Sequence, residues 1–261
     1  MLLMYTISYV TQPGTLDTRN MTTKERFSFD PVGHKYELDG KPMMGVTTVL
    51  NSTLAKPALI GWAAKMTAEW IRENCGRVEA HGNDWWVSEE ELQEAVKAHN
   101  RKKEAGGASG KDTHALIEEY VKTCIGFDGI AHSVETNDPS LKSFIQWAVE
   151  NRVKFLASEE RMYSKDWWTA GTADLILEMG GKTYIGDVKT QAKLWDNTPH
   201  VQCAAYAKMR EEMGKGKVDG TIIILIPRET SKVETHLRYN LDGDIKAFEA
   251  CLLLYKTIPI Q

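Results

Sequence analysis

Two aspartates and a lysine, Asp174, Asp187 and Lys189, flank a pair of glycines at spacings that can be turned into geometry. Gly180 and Gly181 separate two runs with strand-like alternation, and Gly-Gly suits a two-residue hairpin loop because both positions tolerate positive φ. With those glycines as the loop, Met179 faces Lys182, and counting inward pair by pair brings Asp174 opposite Asp187. Side chains that face each other across an antiparallel pair have β-carbons about 5 Å apart, where two carboxylates repel unless something neutralises them. A divalent cation would do so. The strand period of two sets Lys189 on the face of Asp187 and turns the Val188 side chain away, leaving its backbone carbonyl near the acids. Ala173, Leu175, Leu177, Tyr184 and Val188 are then expected on the opposite, core-side face. The competing reading is a solvated hairpin carrying ordinary surface charge. Ile176 and Ile185, on the acids' own face, weigh against it.

The elements around this hairpin can be read from periodicity. Residues 35–38 and 42–49 alternate about Asp39-Gly40 and predict a second hairpin. Pro57 opens a helix over 58–71, and Ser88, with Glu91 at the capping-box position, opens another that reaches about residue 103. The Gly106-Gly107-Ala108-Ser109-Gly110 run is expected to break it. Helical spacing resumes over 112–123 and 139–156. Strands follow at 158–164, 171–179 and 182–189, a helix at 198–213, strands at 218–226 and 232–239, and a last helix at 241–255. This order predicts a mixed α/β fold, a central mixed sheet flanked by helices, preceded by a mostly helical N-terminal part that carries a β-hairpin. Residues 1–107 would form that N-terminal part and 108–261 the core, the two making one compact whole.

At 261 residues and 42% hydrophobic content, the chain can bury a sizeable core. The longest dense apolar run, Ile222 to Ile226, is strand-sized and stops at Pro227, so no membrane span is expected. The first ten residues lack a basic n-region and a cleavage site, which points to a cytoplasmic protein. Cys75, Cys124, Cys203 and Cys251 are far apart and form no CxxC pair, so they read as reduced packing residues and no iron-sulfur cluster is expected. A net charge of -4 argues against a protein that grips nucleic acid by bulk electrostatics, although a locally basic groove remains compatible with it.

Further motifs give these residues a family likeness. Gly171-Thr172-Ala173-Asp174 followed by Gly186-Asp187-Val188-Lys189-Thr190 resembles the G-x-x-D and D-x-K signature of PD-(D/E)XK nucleases. Gln202 and Tyr206 match the Q-x-x-x-Y motif of the RecB-like exonuclease branch, and Gly110 and His114 match its G-x-x-x-H motif. His34-Lys35-Tyr36 and Gly45-Val46-Thr47-Thr48 also resemble phage exonucleases of this type, less specifically. The resemblance implies a restriction-endonuclease-like core and a DNA exonuclease dependent on magnesium or manganese, acting in phage or bacterial recombination, repair or replication. An endonuclease on the same fold and a catalytically silent DNA-binding protein are the alternatives. It further implies that Asp174, Asp187, the Val188 carbonyl, His114 and Glu159 bind the metal, and that Lys189 positions the water, stabilises the transition state or acts as a base. Glu160 competes with Glu159, since alternation puts the two on opposite faces. DNA, single-stranded or at duplex ends, is the implied partner, and a phage single-strand annealing or binding protein is compatible with it.

Other residues carry weaker expectations. Glu118 lies one helical turn after His114 and can face the same site, or be a solvated helix residue. Gln202 and Tyr206, also one turn apart, would contact the DNA backbone or order the active site; the alternative is a tyrosine packed in the core with its hydroxyl satisfied. Lys97, Arg101, Lys102, Lys103 and Lys111 cluster before the His114 helix, and Lys193 and His200 follow the D-x-K strand; these could track phosphates, and Trp195 or the Trp167-Trp168 pair could stack on bases.

Overall fold

The computed structural model describes residues 25–75, 77–78, 84–228 and 230–258. The chain divides into two compact units, Met1–Pro42 and Met43–Gln261. In the first, β1 (Phe27–Asp30) and β2 (Lys35–Leu38) form an antiparallel hairpin, with Phe29 packed on Tyr36 at 4.7 Å between ring centres. Asp39 and Gly40 both have positive φ, as the turn expected there requires. The next strand, β3 (Lys41–Gly45), is shorter than the expected 42–49, because α1 (Val46–Thr53) begins directly after Gly45. Val46, Val49 and Leu50 fall at helical spacing and all three are buried, so packing overrides the β-propensity of this valine- and threonine-rich segment.

The second unit is mixed α/β. Its helix α2 (Pro57–Asn74) starts at Pro57 as expected, and a two-residue pair, β4 (Arg77–Val78) with β5 (Asp84–Trp85), follows. Ser88 and Glu91 form a reciprocal capping box at the start of α3 (Glu89–Phe127), 39 residues long. The helix runs straight through the Gly-rich segment that was expected to break it. Glycine lowers helix stability by only about 1 kcal/mol per residue, and no proline interrupts the hydrogen-bond ladder. The expected division at residue 107 therefore falls inside one helix. Further on, Ile117, Tyr120, Val121 and Cys124 form a buried stripe on one face of α3.

After α4 (Pro139–Glu150), capped by the Asp138 carboxylate at the Leu141 amide, the chain turns through Arg152 in the left-handed region and enters β6 (Lys154–Ser164). The helix expected to reach residue 156 thus ends six residues sooner, and β6 claims its last turn. β7 (Thr169–Met179), β8 (Lys182–Lys189), α5 (Thr198–Glu212), β9 (Gly220–Leu225), β10 (Glu234–Arg238) and α6 (Asp242–Thr257) complete the unit.

Its sheet runs β3-β7-β8-β9-β10, with β6 on the other edge of β7. β8 and β9 are parallel and joined by α5, and β3 is parallel to β7; the other pairs are antiparallel. One apolar layer joins α1, α5 and α6 to the sheet through Leu50, Met209, Phe248, Ile176 and Ile223. On the other side α3 and α4 pack through Ile117, Phe144, Phe155, Leu177 and Ile224. All four cysteines are buried and free. Among the described residues no helix is long and apolar enough to cross a membrane.

The unbroken α3 makes a direct prediction. A β-carbon at Gly107 would meet nothing within 4 Å, so Gly107→Ala should stabilise the protein by about 0.5–1 kcal/mol in urea denaturation. A helix broken at this point would give no gain, or a loss.

Candidate functional site

Gly180 and Gly181 have φ of 60° and 74°, and β7 and β8 pair from Met179↔Lys182 to Leu175↔Gly186, the register that a Gly-Gly loop dictates. The next pair would be Asp174 with Asp187, and there the ladder stops. Two causes are visible. β3 pairs with β7 at Thr169 and Ala170, on the edge that β8 occupies farther along, so the two partners of β7 must diverge between them. Within that gap the Tyr206 ring lies on Gly171, where an added β-carbon would sit 2.3 Å from Cε1. β8 stays with β9 instead, pairing Asp187, Val188 and Lys189 with Ile223, Ile224 and Leu225. The strands open into a fork with one aspartate on each arm.

On its other edge β7 is irregular at the same position. Ser158 pairs with Leu175 and Glu160 with Ala173, but Glu159 and Asp174 between them make no ladder pair, and Glu159 has φ of 51°. The register is the same on both sides of this gap, yet the faces change across it. Ala173 packs in the layer of α5, whereas Leu175, two residues on, packs in the layer of α3. The expectation that Ala173 shares a face with Leu175 is therefore corrected: strict alternation fails where the backbone leaves the ladder.

Asp174 and Asp187 sit in different surroundings. The Val188 amide donates to Asp174 Oδ2 at 3.0 Å across the fork. Burial raises the Asp174 pKa, while the Lys189 charge and that amide pull it down. Asp187 is only 2% exposed. The Lys189 ammonium straddles its carboxylate, donating to Oδ1 at 2.7 Å and lying 2.6 Å from Oδ2. Only the first contact has hydrogen-bond alignment, so Oδ2 is a buried oxygen held by charge alone. Burial pushes the Asp187 pKa up to about 6 against the pull of Lys189. Burial also opposes the Lys189 charge, yet Asp187 and Asp174 outweigh it and hold that pKa above the ordinary lysine value. Lys189 is thus a cation at neutral pH in this arrangement.

α3 supplies the wall facing Asp174. The stripe that docks this helix continues one turn back from Ile117 to His114, whose Nδ1 lies 3.8 Å from Asp174 Oδ2. Burial, then the Lys189 charge, lowers the His114 pKa, so the ring tends to neutrality. Glu118, one turn on, pairs with Lys122. Glu159 is open to solvent at its surface, but partial burial of its carboxyl and the charges of Asp174 and Glu118 push its pKa up to about 7. Glu160 points elsewhere, bound to Arg210 at 3.3 Å and Lys215 at 2.7 Å. Of the two competing glutamates, Glu159 is the one beside Asp174.

The remaining expectations separate by burial. Tyr206 is 3% exposed and packed in the core, with Gln202, half-buried, donating to its hydroxyl at 3.3 Å. His200 is also 3% exposed, meets the Thr221 hydroxyl at 2.8 Å and has its pKa driven to about 4, first by burial. It cannot track phosphates, because α5 tucks it beneath its own first turn. Trp167 packs on Phe248 in the core, while Trp195 is exposed with the Lys193 ammonium 4.2 Å over its ring. Lys97 and Arg101 pair with Glu94. Gly110 lies inside α3, one turn before His114, and the Lys111 side chain lies outside what the structure describes.

Arg228, which carried no expectation, stands beside this site, donating to Thr190 Oγ1 at 3.2 Å and contributing to the lowered His114 pKa. Its one signal in the sequence is position: it follows the proline that closes the apolar strand Ile222 to Ile226.

Among the described residues no three His, Cys, Asp or Glu side chains gather as a ready-made metal cage. The donor set still suits a hard cation that keeps most of its waters, which needs one or two carboxylates. Asp187 Oδ2 is a buried acceptor with no hydrogen-bond donor aligned on it. The Val188 amide points into the fork, and a strand residue sends its carbonyl to the same edge as its amide.

Two outcomes test this geometry. Gly171→Ala should cost about 1–3 kcal/mol by forcing a methyl into Tyr206, and noticeably less in a Tyr206→Ser background; additive costs in denaturant titrations would contradict the contact. Glu159→Gln isolates one titration. A carboxyl with a folded pKa of about 7, above its ordinary 4.5, holds its proton more tightly folded than unfolded, so its contribution to stability declines as pH rises through that window. In chelator, the variant should gain on the wild type between about pH 4.5 and 7 and keep a constant lead above. A lead independent of pH would contradict it.

No family model and no curated protein matches the chain. Among solved structures, the crystal structure of SSO0001 resembles it over 64% of this chain and 69% of that one, with 14% identity and a TM-score of 0.32.

Proposed function

We propose that the protein is a metal-dependent DNA exonuclease with a PD-(D/E)XK core of the RecB-like type. The observation that carries this reading is the fork: Asp174 and Asp187 on diverging strands, bridged by the Val188 amide, with the Lys189 ammonium on the buried carboxylate. Asp174, Asp187 and the Val188 carbonyl would hold magnesium or manganese, with Glu159 and His114 at its margin. The bound metal would supply Lewis acidity for the phosphoryl oxygens and a more acidic water.

The chain's own residues divide the rest of the work. Lys189, paired with Asp187, would offer positive charge where the phosphoryl group gains negative charge and position the attacking water. His114 closes the side toward α3, and its lowered pKa favours a neutral ring able to accept a bond or a metal. Tyr206, by filling the space over Gly171, keeps the fork open and so acts by ordering the site. The biological setting we propose is recombination, repair or replication in a bacterial cytoplasm, phage-borne or cellular.

Incubation of purified protein with end-labelled linear and closed circular DNA, single- and double-stranded, in magnesium, manganese or EDTA provides the test. Expected is metal-dependent shortening of linear DNA from its ends, reduced at least ~10²-fold in Lys189→Ala. Cutting of closed circles would assign an endonuclease instead, and binding without cleavage under any metal condition would assign a silent DNA-binding protein.

A further inference from the structure

Beyond the metal-binding acids, a nuclease must hold a polyanion against a centre that is itself negative. Around the fork Asp174 bears on both Asp187 and Glu159, and Glu118 bears on Asp174 and Glu159, so the acids form one chain of like charge. Lys189 pairs with Asp187 and Lys122 with Glu118, so each offsets one acid of the site. Arg228 contributes positive charge from a third direction.

Its placement follows from the sheet. β8 and β9 are parallel and end level with each other, Lys189 pairing with Leu225, and the Ile226 amide donates to the Lys189 carbonyl at 2.7 Å. Pro227 then stops the ladder, having no amide to give, and its carbonyl accepts from the amides of Thr230 at 3.3 Å and Ser231 at 2.6 Å. Arg228 sits inside that closed turn, at the same edge of the sheet as Lys189 and Thr190. Half-buried, with its Nε shielded from solvent, it donates one terminal nitrogen to the Thr190 hydroxyl, which orients the guanidinium plane. Thr190 is the residue directly after Lys189, so the orienting bond ties Arg228 to the active strand. A planar guanidinium matches phosphate geometry with two parallel donors, which a lysine cannot reproduce. The carboxyl ends of adjacent parallel strands are also where open α/β sheets place their ligands.

We infer that Arg228 is a phosphate-binding residue of this site, gripping a backbone phosphate of the DNA that enters the fork, with Thr190 as its positioning residue. The inference rests on the nuclease reading above.

The test measures affinity of a labelled single-stranded oligonucleotide in EDTA over a series of salt concentrations, alongside KM and kcat for cleavage in magnesium. Arg228→Ala should weaken binding roughly tenfold for unrelated sequences alike. It should flatten the slope of log affinity against log salt by about 0.7, the share of one phosphate on a single strand. KM should rise more than kcat falls. Should the alanine variant fail to fold, Arg228→Lys and Arg228→Gln decide: lysine keeps the salt slope and glutamine flattens it by about 0.7. Wild-type affinity and salt slope in the variants, with a wild type that binds and cuts DNA, would overturn the role of Arg228 and leave the nuclease reading standing. A wild type that neither binds nor cuts DNA would overturn both.

Discussion

Backbone hydrogen bonding along β7 sets the terms for everything around it. One edge of this strand is shared by two partners, β8 toward its end and β3 at its beginning, and neither covers the four residues between. Those residues, 171–174, must find other company. Gly171 takes the Tyr206 ring, and Asp174 takes the Val188 amide with its side chain. The G-x-x-D and Q-x-x-x-Y motifs, read from sequence as separate signals, are thus two halves of one contact. The glycine is small because the tyrosine is there, and the tyrosine is buried because the strand offers it a flat place to lie.

The fork also concentrates a charge problem. Two carboxylates at its mouth, one of them nearly inaccessible to water, are balanced by a single ammonium that cannot serve both oxygens of Asp187 equally well. Burying an ion pair costs about as much as the attraction returns, so such an arrangement adds little to stability. It fits a site that trades stability for the capacity to take up a cation. The upward pKa values of Asp187 and Glu159 express the same imbalance: without added positive charge, the folded protein would rather hold protons there.

How much of this was legible in the sequence varied with the range of the interaction responsible. The Gly-Gly loop fixed the register of β7 and β8 to the residue, because a two-residue turn leaves no freedom in pairing. The end of that ladder was not readable, since it depends on β3, more than a hundred residues away. Ala173 was assigned to the wrong face for the same reason: alternation holds only while a strand stays in its sheet. The Gly-rich segment in α3 misled because glycine's cost is local and modest, whereas the packing that sustains the helix is not local at all. Val46 to Val49 read as strand because β-branched residues favour strands, until burial of Val46, Val49 and Leu50 on one helical face prevailed. Arg228 was invisible since one arginine after a proline looks like any loop residue; only the parallel pairing of β8 with β9 brings it to the site.

α3 carries one further consequence, a mechanical one. At about 1.5 Å per residue its 39 residues make a rod about 58 Å long. His114 is mounted on it between the capped first turn and the stretch clamped against the sheet. An unbroken helix transmits displacement and torque along its axis, so a force on its first turns is felt at the histidine facing Asp174. With Ile117, Tyr120, Val121 and Cys124 seated in the core and Ala95 buried near its other end, the helix is a beam held at two supports, and the histidine stands between them.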